Sequence, residues 1–236
     1  MTMPPSAAII GATGTVGRGI ARVLDRAGWA ITAIGRDEAR LAALNAELGG
    51  RAQLVVGSVA NDASAMRTAA DARAHGAPFN AVITTINRPL SSQPAFDMSG
   101  ETLLDFFREN VVTHHCATKA FLPLLADAGR YVGLGGGMAD ATVPGLVGVS
   151  VCQAAQRNLF RFLAQEAADR GASVVELMLY SHIADPADEA TSDPRRIRAD
   201  EVGEHLLAML LHPEAFPGPV LTLKSRKQVG VASTDS

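Results

Sequence analysis

Three glycines stand at even spacing near the start of the sequence, in Gly11-Ala12-Thr13-Gly14-Thr15-Val16-Gly17. A short apolar run precedes them and a helical pattern follows. Without a Cβ the backbone can turn tightly and approach a pyrophosphate, whose charge then meets the N-terminus of the helix. A plain strand–helix turn could use the same string. The context favours nucleotide binding, because the string opens the first strand–helix unit and a second strand follows about 20 residues on. That strand ends at Ile34-Gly35-Arg36-Asp37. An NAD(H) site wants a carboxylate at this tip, whereas a guanidinium with several fixed donors suits a 2′-phosphate. Arg36 therefore points to NADP(H), against the plainer reading of an exposed cation near a helix start. Trp29, the only tryptophan, precedes the same strand and is expected to report binding by fluorescence.

Two other groupings suggest chemistry and carry less. His114-His115-Cys116 has metal-binding side chains, but consecutive helical residues point about 100° apart and cannot converge on one ion. No metal is expected. Gly148-Val149-Ser150-Val151-Cys152 half matches a nucleophile elbow, with Gly135-Gly136-Gly137 as possible oxyanion donors. Cys152 replaces the second elbow glycine, and a serine near a helix start is commonplace. A hydrolase is not expected.

The elements that must position these residues alternate along the chain. Apolar runs at residues 7–11, 30–35, 52–56, 81–85, 130–134, 173–179 and 219–223 read as buried parallel strands. Helical patterns fall between them at 16–27, 38–48, 63–74, 101–126, 147–170 and 200–211. Such alternation predicts an α/β fold, a doubly wound Rossmann-type parallel sheet of about seven strands in one domain spanning 1–236. Residues 184–199 carry Pro186, Pro194 and seven charged side chains, and are expected to form a mobile substrate loop. The composition fits one folded domain, with 236 residues, 47% of them hydrophobic and 19% charged. A net charge of −3 offers no field for nucleic acid. No apolar run approaches the ~18 residues that span a bilayer. Residues 1–6 lack the positive charge of a secretory signal, and two cysteines fit a reducing compartment, so a cytoplasmic protein is expected.

With these elements in order, residues 7–223 resemble the short-chain dehydrogenase/reductase family. The Gly11, Gly14, Gly17 spacing is similar to the variant motif of its extended and atypical members; the commoner motif would have glycine at Thr15. Gly35-Arg36 resembles the NADP-preferring style, and residues 82–87 stand where the family has its Asn-Asn-Ala-Gly strand end. Glu109-Asn110-Val111 stands at the family's structural and catalytic asparagine, and residues 200–223 resemble its closing helix and last strand. Ser58-Val59 replaces the usual Asp-Val beside adenine. The resemblance implies cofactor contacts from the turn, through Gly11, Thr13, Gly14, Thr15, Val16 and Gly17. It adds Arg36, Ser58 and Val59 on the adenosine side, and Thr85, Ile86, Gln153 and Ile183 towards the nicotinamide.

The family's serine, tyrosine and lysine are missing. Their places fall on Gly136, Val149 and Gln153, and none of the three lysines lies four residues after either tyrosine. Gly136 and Val149 have no side-chain donor, and neutral Gln153 cannot lower a neighbour's pKa. Loss of a general acid costs carbonyl reduction typically ~10²–10⁴-fold. Asn110 alone is retained. Candidate replacement acids are Tyr180 and His182, after the sixth strand, and His114, four residues beyond Asn110. The expectation is an NADP(H)-dependent reductase of C=C or iminium bonds, or a non-redox catalyst, acting on a small molecule. The alternative is an inactive nucleotide-binding sensor or partner subunit. A homodimer or homotetramer is expected through helices 101–126 and 147–170, using Val111, Val112, Ala117, Val151, Ala154, Ala155 and Leu159.

Overall fold

Alternate residues of the first strand enter two different cores: Ala7 and Ile9 pack into one apolar cluster, Ala8 and Ile10 into another. Only a sheet covered on both faces does this. In a computed structural model, which describes residues 3–88, 91–184 and 196–231, strand and helix alternate throughout. The order is β1 (Ser6–Ile10), α1 (Thr15–Arg26), β2 (Ala30–Gly35), α2 (Glu38–Glu47), β3 (Gln53–Val56), α3 (Asp62–Gly76) and β4 (Phe79–Thr84). Then come α4 (Gly100–Phe107), α5 (Thr113–Phe121), β5 (Leu125–Gly136), α6 (Val147–Ala168), β6 (Ser173–Leu179), α7 (Ala199–Leu211) and β7 (Val220–Leu223).

The seven strands lie in the order β3-β2-β1-β4-β5-β6-β7, and every pairing is parallel. This is the single-domain, doubly wound Rossmann sheet that the alternation predicts. Helices α1, α2 and α7 cover one face, and α3, α5 and α6 the other. The strand order reverses between β1 and β4, so a crevice opens above their C-terminal ends. α7 closes tightly on α1. A Cβ on Gly203 would come within 2.8 Å of Val23 and 3.0 Å of the Gly19 carbonyl. Asp200 then takes Arg22 at 2.6 Å and Arg26 at 3.2 Å. At the opposite end, buried Arg130 donates to the carbonyls of Met209 at 3.0 Å and Phe216 at 3.1 Å, tying β5 to the end of α7. Among the described residues no helix is long and apolar enough to cross a membrane.

Three expectations change. The helix expected over 101–126 is interrupted by a π turn at Arg108–Val112 and ends in a short 3-10 turn, Leu122–Leu124. Pro123 cannot continue the ladder, and Leu125 already pairs with Phe79 in the sheet. β5 therefore begins five residues before the expected 130, irregularly, with Ala128 at φ 60°. Of the expected loop 184–199, residues 185–195 lie outside the described residues, but its two ends meet, the Ala184 N–H donating to the Ile197 carbonyl at 3.0 Å. Trp29 is buried at the N-terminal end of β2, away from the crevice, so it is no reporter of a ligand there.

Under the C-terminal half of β5 the core turns polar. Glu176 on β6 is fully buried and accepts from Gln156 Nε2 at 3.0 Å, which also donates to the Leu134 carbonyl at 2.9 Å. Glu176 Oε2 and Gln156 Oε1 are buried without partners among the described residues. Burial raises the Glu176 carboxyl from 4.5 to about 7, although Gln156, Arg157 and Arg161 all pull it down. A carboxyl whose folded pKa lies above its unfolded one binds its proton more tightly when folded. Its contribution to stability is therefore full below about 4.5 and is lost as pH rises through 7. Glu176→Gln keeps the shape and cannot ionise. Relative to wild type it is expected to gain stability between pH 5 and pH 8, by about 3 kcal/mol at most. Urea unfolding at the two pH values checks this, and parallel losses in both proteins would contradict it.

Candidate functional site

Three glycines shape the turn between β1 and α1, each for a different reason. Gly11 is left-handed at φ +85°, donates to the Ile34 carbonyl at 2.9 Å, and has no room for a Cβ, which would come within 2.7 Å of Thr85 Oγ1. Gly17 packs on the Gly11 carbonyl and would collide with it through any side chain. Gly14 has an ordinary φ of −77°, and nothing lies closer to its Cβ position than the Gly11 oxygen at 3.5 Å. Neither conformation nor internal packing demands glycine at 14. The open side at Gly14 leaves room for an outside group to approach the backbone closely. α1, opened by Thr15 and Val16, has no side-chain cap and no acidic residue in its first turn, so its positive end is available to an anion.

The side of the crevice beside the end of β2 is cationic. Arg36 is exposed just past β2 and has no ion-pair partner among the described residues. Asp37 beside it is committed to capping α2, accepting from the Arg40 N–H at 3.0 Å. It is no free strand-tip carboxylate. Arg40, which sequence reading missed, reaches back to the Thr13 carbonyl at 2.7 Å and places a second guanidinium beside the turn. Ser58 and Val59 shape the wall after β3: Thr68 Oγ1 accepts the Ser58 N–H at 3.0 Å, and Val59 is buried in the core.

The end of β4 is pinned from both sides. Thr85 Oγ1 donates to the Gly11 carbonyl at 3.0 Å, and His114 Nε2 donates to the Ile86 carbonyl at 2.9 Å. Burial pushes the fully buried His114 down to about 4. Burial favours the neutral imidazole, and its Nε2–H is taken up by Ile86, so His114 ties α5 to the strand end. Asn110 lies in the π turn, an insertion frequent at functional sites. It is buried, donates to the Phe106 carbonyl at 2.7 Å and accepts from the Arg88 N–H at 3.2 Å.

Beyond β5 the side chains fit around missing Cβ atoms. The Gln153 carboxamide lies against Gly136, where a Cβ would stand 2.5 Å from Nε2. Gln153 Oε1 is buried without a partner among the described residues. Val149 is buried with Phe106 and Cys152, whose thiol burial raises to about 11. Ser150 donates to the Ala141 carbonyl at 2.8 Å, and so is not poised as a nucleophile. The Tyr180 ring covers Gly137, 2.5 Å from its Cβ position. Its hydroxyl donates to Asp140, which also takes Arg157 at 2.5 Å. Burial first, then the bond to Asp140, raises the Tyr180 pKa and makes the phenol a poor acid. His182 is exposed and Ile183 half-buried, just before the undescribed residues.

The model of a family described as enoyl-(acyl carrier protein) reductase matches residues 11–235. No curated protein matches the chain. Among solved structures, a short-chain dehydrogenase/reductase variant from Serratia marcescens has a TM-score of 0.82 at 15% identity, covering 93% of this chain and 96% of its own. A short chain oxidoreductase from Pseudomonas aeruginosa PAO1, described as containing an atypical catalytic center, has a TM-score of 0.82 at 17% identity, covering 98% of both chains. An alcohol dehydrogenase from the archaeon Thermococcus sibiricus, complexed with 5-hydroxy-NADP, has a TM-score of 0.77 at 21% identity, covering 94% of this chain and 96% of its own. At these identities the likeness is one of fold.

Proposed function

The chain belongs to the short-chain dehydrogenase/reductase family, and we propose that it is an NADP(H)-binding member that reduces an activated C=C bond or an iminium ion. The observation that carries this reading is the Gln153 carboxamide packed on Gly136 beside buried Val149. At the places of the family's serine, tyrosine and lysine there is no donor, no acid and no cation. Tyr180, His114 and Asn110 do not replace the acid, since each has its donor engaged within the protein. Bound NADPH supplies hydride. Hydride addition to an iminium carbon gives a neutral amine and needs no proton. Addition to a C=C bond conjugated with a carbonyl gives an enolate, which takes its proton from water. A ketone becomes an alkoxide and does need an acid.

On the nucleotide side, the room at Gly14 and the uncapped start of α1 would hold the pyrophosphate, and Arg36 would hold the 2′-phosphate. The Gln153 carboxamide can hydrogen-bond the nicotinamide ribose hydroxyls. The Pseudomonas protein described as having an atypical catalytic center supports the idea that this fold tolerates an altered site.

The decisive assay uses wild-type protein. NADPH is expected to raise the melting temperature by mass action while simple ketones and aldehydes show no reduction above background. NADPH consumption is expected with a panel of enones and cyclic iminium ions. Robust ketone reduction would overturn the reading, and so would NADPH binding without turnover of any electrophile, which would leave a nucleotide sensor.

Arg36→Ala is expected to weaken NADPH binding by roughly 1–3 kcal/mol, the order of a charged hydrogen bond and about tenfold or more in affinity, and to leave NADH binding nearly unchanged. Titration of both nucleotides checks this. Equal losses would remove Arg36 from cofactor choice.

We also propose a two-fold homodimer or homotetramer. Leu104, Val112, Val151 and Phe162 are exposed on α4, the π turn and α6 at 47%, 40%, 41% and 59%. Ala117, which sequence reading assigns to this face, is buried in the core instead. Light scattering at micromolar concentration is expected to give at least twice 24.6 kDa, and a pure monomer would refute the assembly.

A further inference from the structure

Arg88 has no task in the reading above, yet the fold holds it beside the altered centre. It stands four residues past the end of β4, where its N–H donates to Asn110 Oδ1 at 3.2 Å. Its guanidinium lies over the Phe106 ring, with Cζ 4.5 Å from the centroid, and Nη1 is 3.2 Å from Glu109 Oε2. Asn110 and Glu109 both belong to the π turn, so this one helix distortion fixes the backbone of Arg88 and pairs its charge. The Phe106 ring also meets α6. A Cβ on Gly148 would come within 2.5 Å of it, and Val149 and Cys152 share its cluster, flanked by Met138 and Leu146. The charge is felt on α6, where it opposes the effect of burial on the Cys152 thiol.

This arrangement is a cation at the border of an apolar patch. The Arg88 side chain is 25% exposed and stacked on an aromatic face, which holds its plane while leaving edge N–H donors accessible. Its counter-ion is weakly held, because the Glu109 side chain is 54% exposed, and ion pairs at the surface contribute little. A carboxylate entering from the crevice can take Glu109's place and gain a two-pronged contact with the guanidinium. We propose that Arg88 is the anion anchor of the substrate site, selecting small organic acids with an apolar body lying on the half-buried Met138 and Leu146. The proposal rests on reading the crevice as a substrate site, and adds the charge of what enters it.

The test is calorimetric titration of the NADP-loaded protein with benzoate and with neutral benzamide. Benzoate is expected to bind at least tenfold tighter than benzamide. Arg88→Gln is expected to erase that preference, and Arg88→Lys to retain part of it. Glu109→Gln is expected to tighten benzoate severalfold by removing the competing carboxylate, an effect that a purely structural Arg88 would not give. The NADPH-induced rise in melting temperature should persist in Arg88→Gln. If NADPH gives no such rise even in wild type, the nucleotide reading fails, and titration of the protein alone still judges Arg88. Equal binding of the two probes, no saturable benzoate binding, or an Arg88→Gln protein that binds benzoate as wild type does would each overturn the proposal.

Discussion

The carbonyl of Gly11 is the point on which the upper edge of the sheet depends. It accepts the Thr85 hydroxyl from the end of β4 at 3.0 Å and the Gly14 N–H at 3.1 Å, and Gly17 of α1 lies directly on it. The N–H of the same residue binds the end of β2. One left-handed residue thus joins β1, β2, β4 and α1 where the strand order reverses. No other residue type can hold this conformation so closely packed, because a Cβ at Gly11 would meet Thr85. The turn is therefore closely packed on itself. Its one loose constraint is at Gly14, the position that faces outward.

A second dependence runs along β5. Glycine is costly in a strand interior, yet this strand and its exit contain Gly133, Gly135, Gly136 and Gly137. Each missing Cβ is matched by an intruding group: Phe160 at Gly133, Glu176 at Gly135, Gln153 at Gly136 and Tyr180 at Gly137. In sequence Gly135-Gly136-Gly137 suggests oxyanion donors. In the structure it is clearance for side chains of α6, β6 and the segment after β6. The polar layer so made, Gln153, Gln156 and Glu176, lies under the floor of the site and has more acceptors than donors. A proton held on Glu176 is the simplest way to relieve that imbalance, which agrees with the raised carboxyl pKa.

The turn, the strands and the first helices were legible in sequence because they are local. Continuous apolar runs and helical apolar patterns mark them, and the glycines of the turn sit between the first strand and the first helix. What was not legible depends on residues far apart in the chain. Arg40 reaches Thr13, 27 positions away, and Tyr180 finds Asp140 at a separation of 40. The π turn has no composition signal, since Arg108–Val112 reads as ordinary helix. Its spacing to Asn110 marks His114 as a candidate acid in sequence. Its meaning came from depth, because a buried imidazole bound to Ile86 is a strut. Arg88 was overlooked for a related reason: an isolated arginine after a strand carries no motif, and only its stacking on Phe106 distinguishes it.

Residues 136, 149 and 153, where the proposed reading places the family's serine, tyrosine and lysine, form a coupled set. Gln153 can lie flat because residue 136 has no side chain, and a serine there would have to push the carboxamide aside. Val149 is buried against Phe106, and Phe106 can approach because residue 148 is glycine. A tyrosine at 149 would need volume that this cluster already fills. Phe106 is in turn held under Arg88, whose N–H is bound by the one retained residue, Asn110. Each replacement makes the next one fit. The region is thus a packed arrangement of its own, in which Asn110 holds the backbone of Arg88 in place.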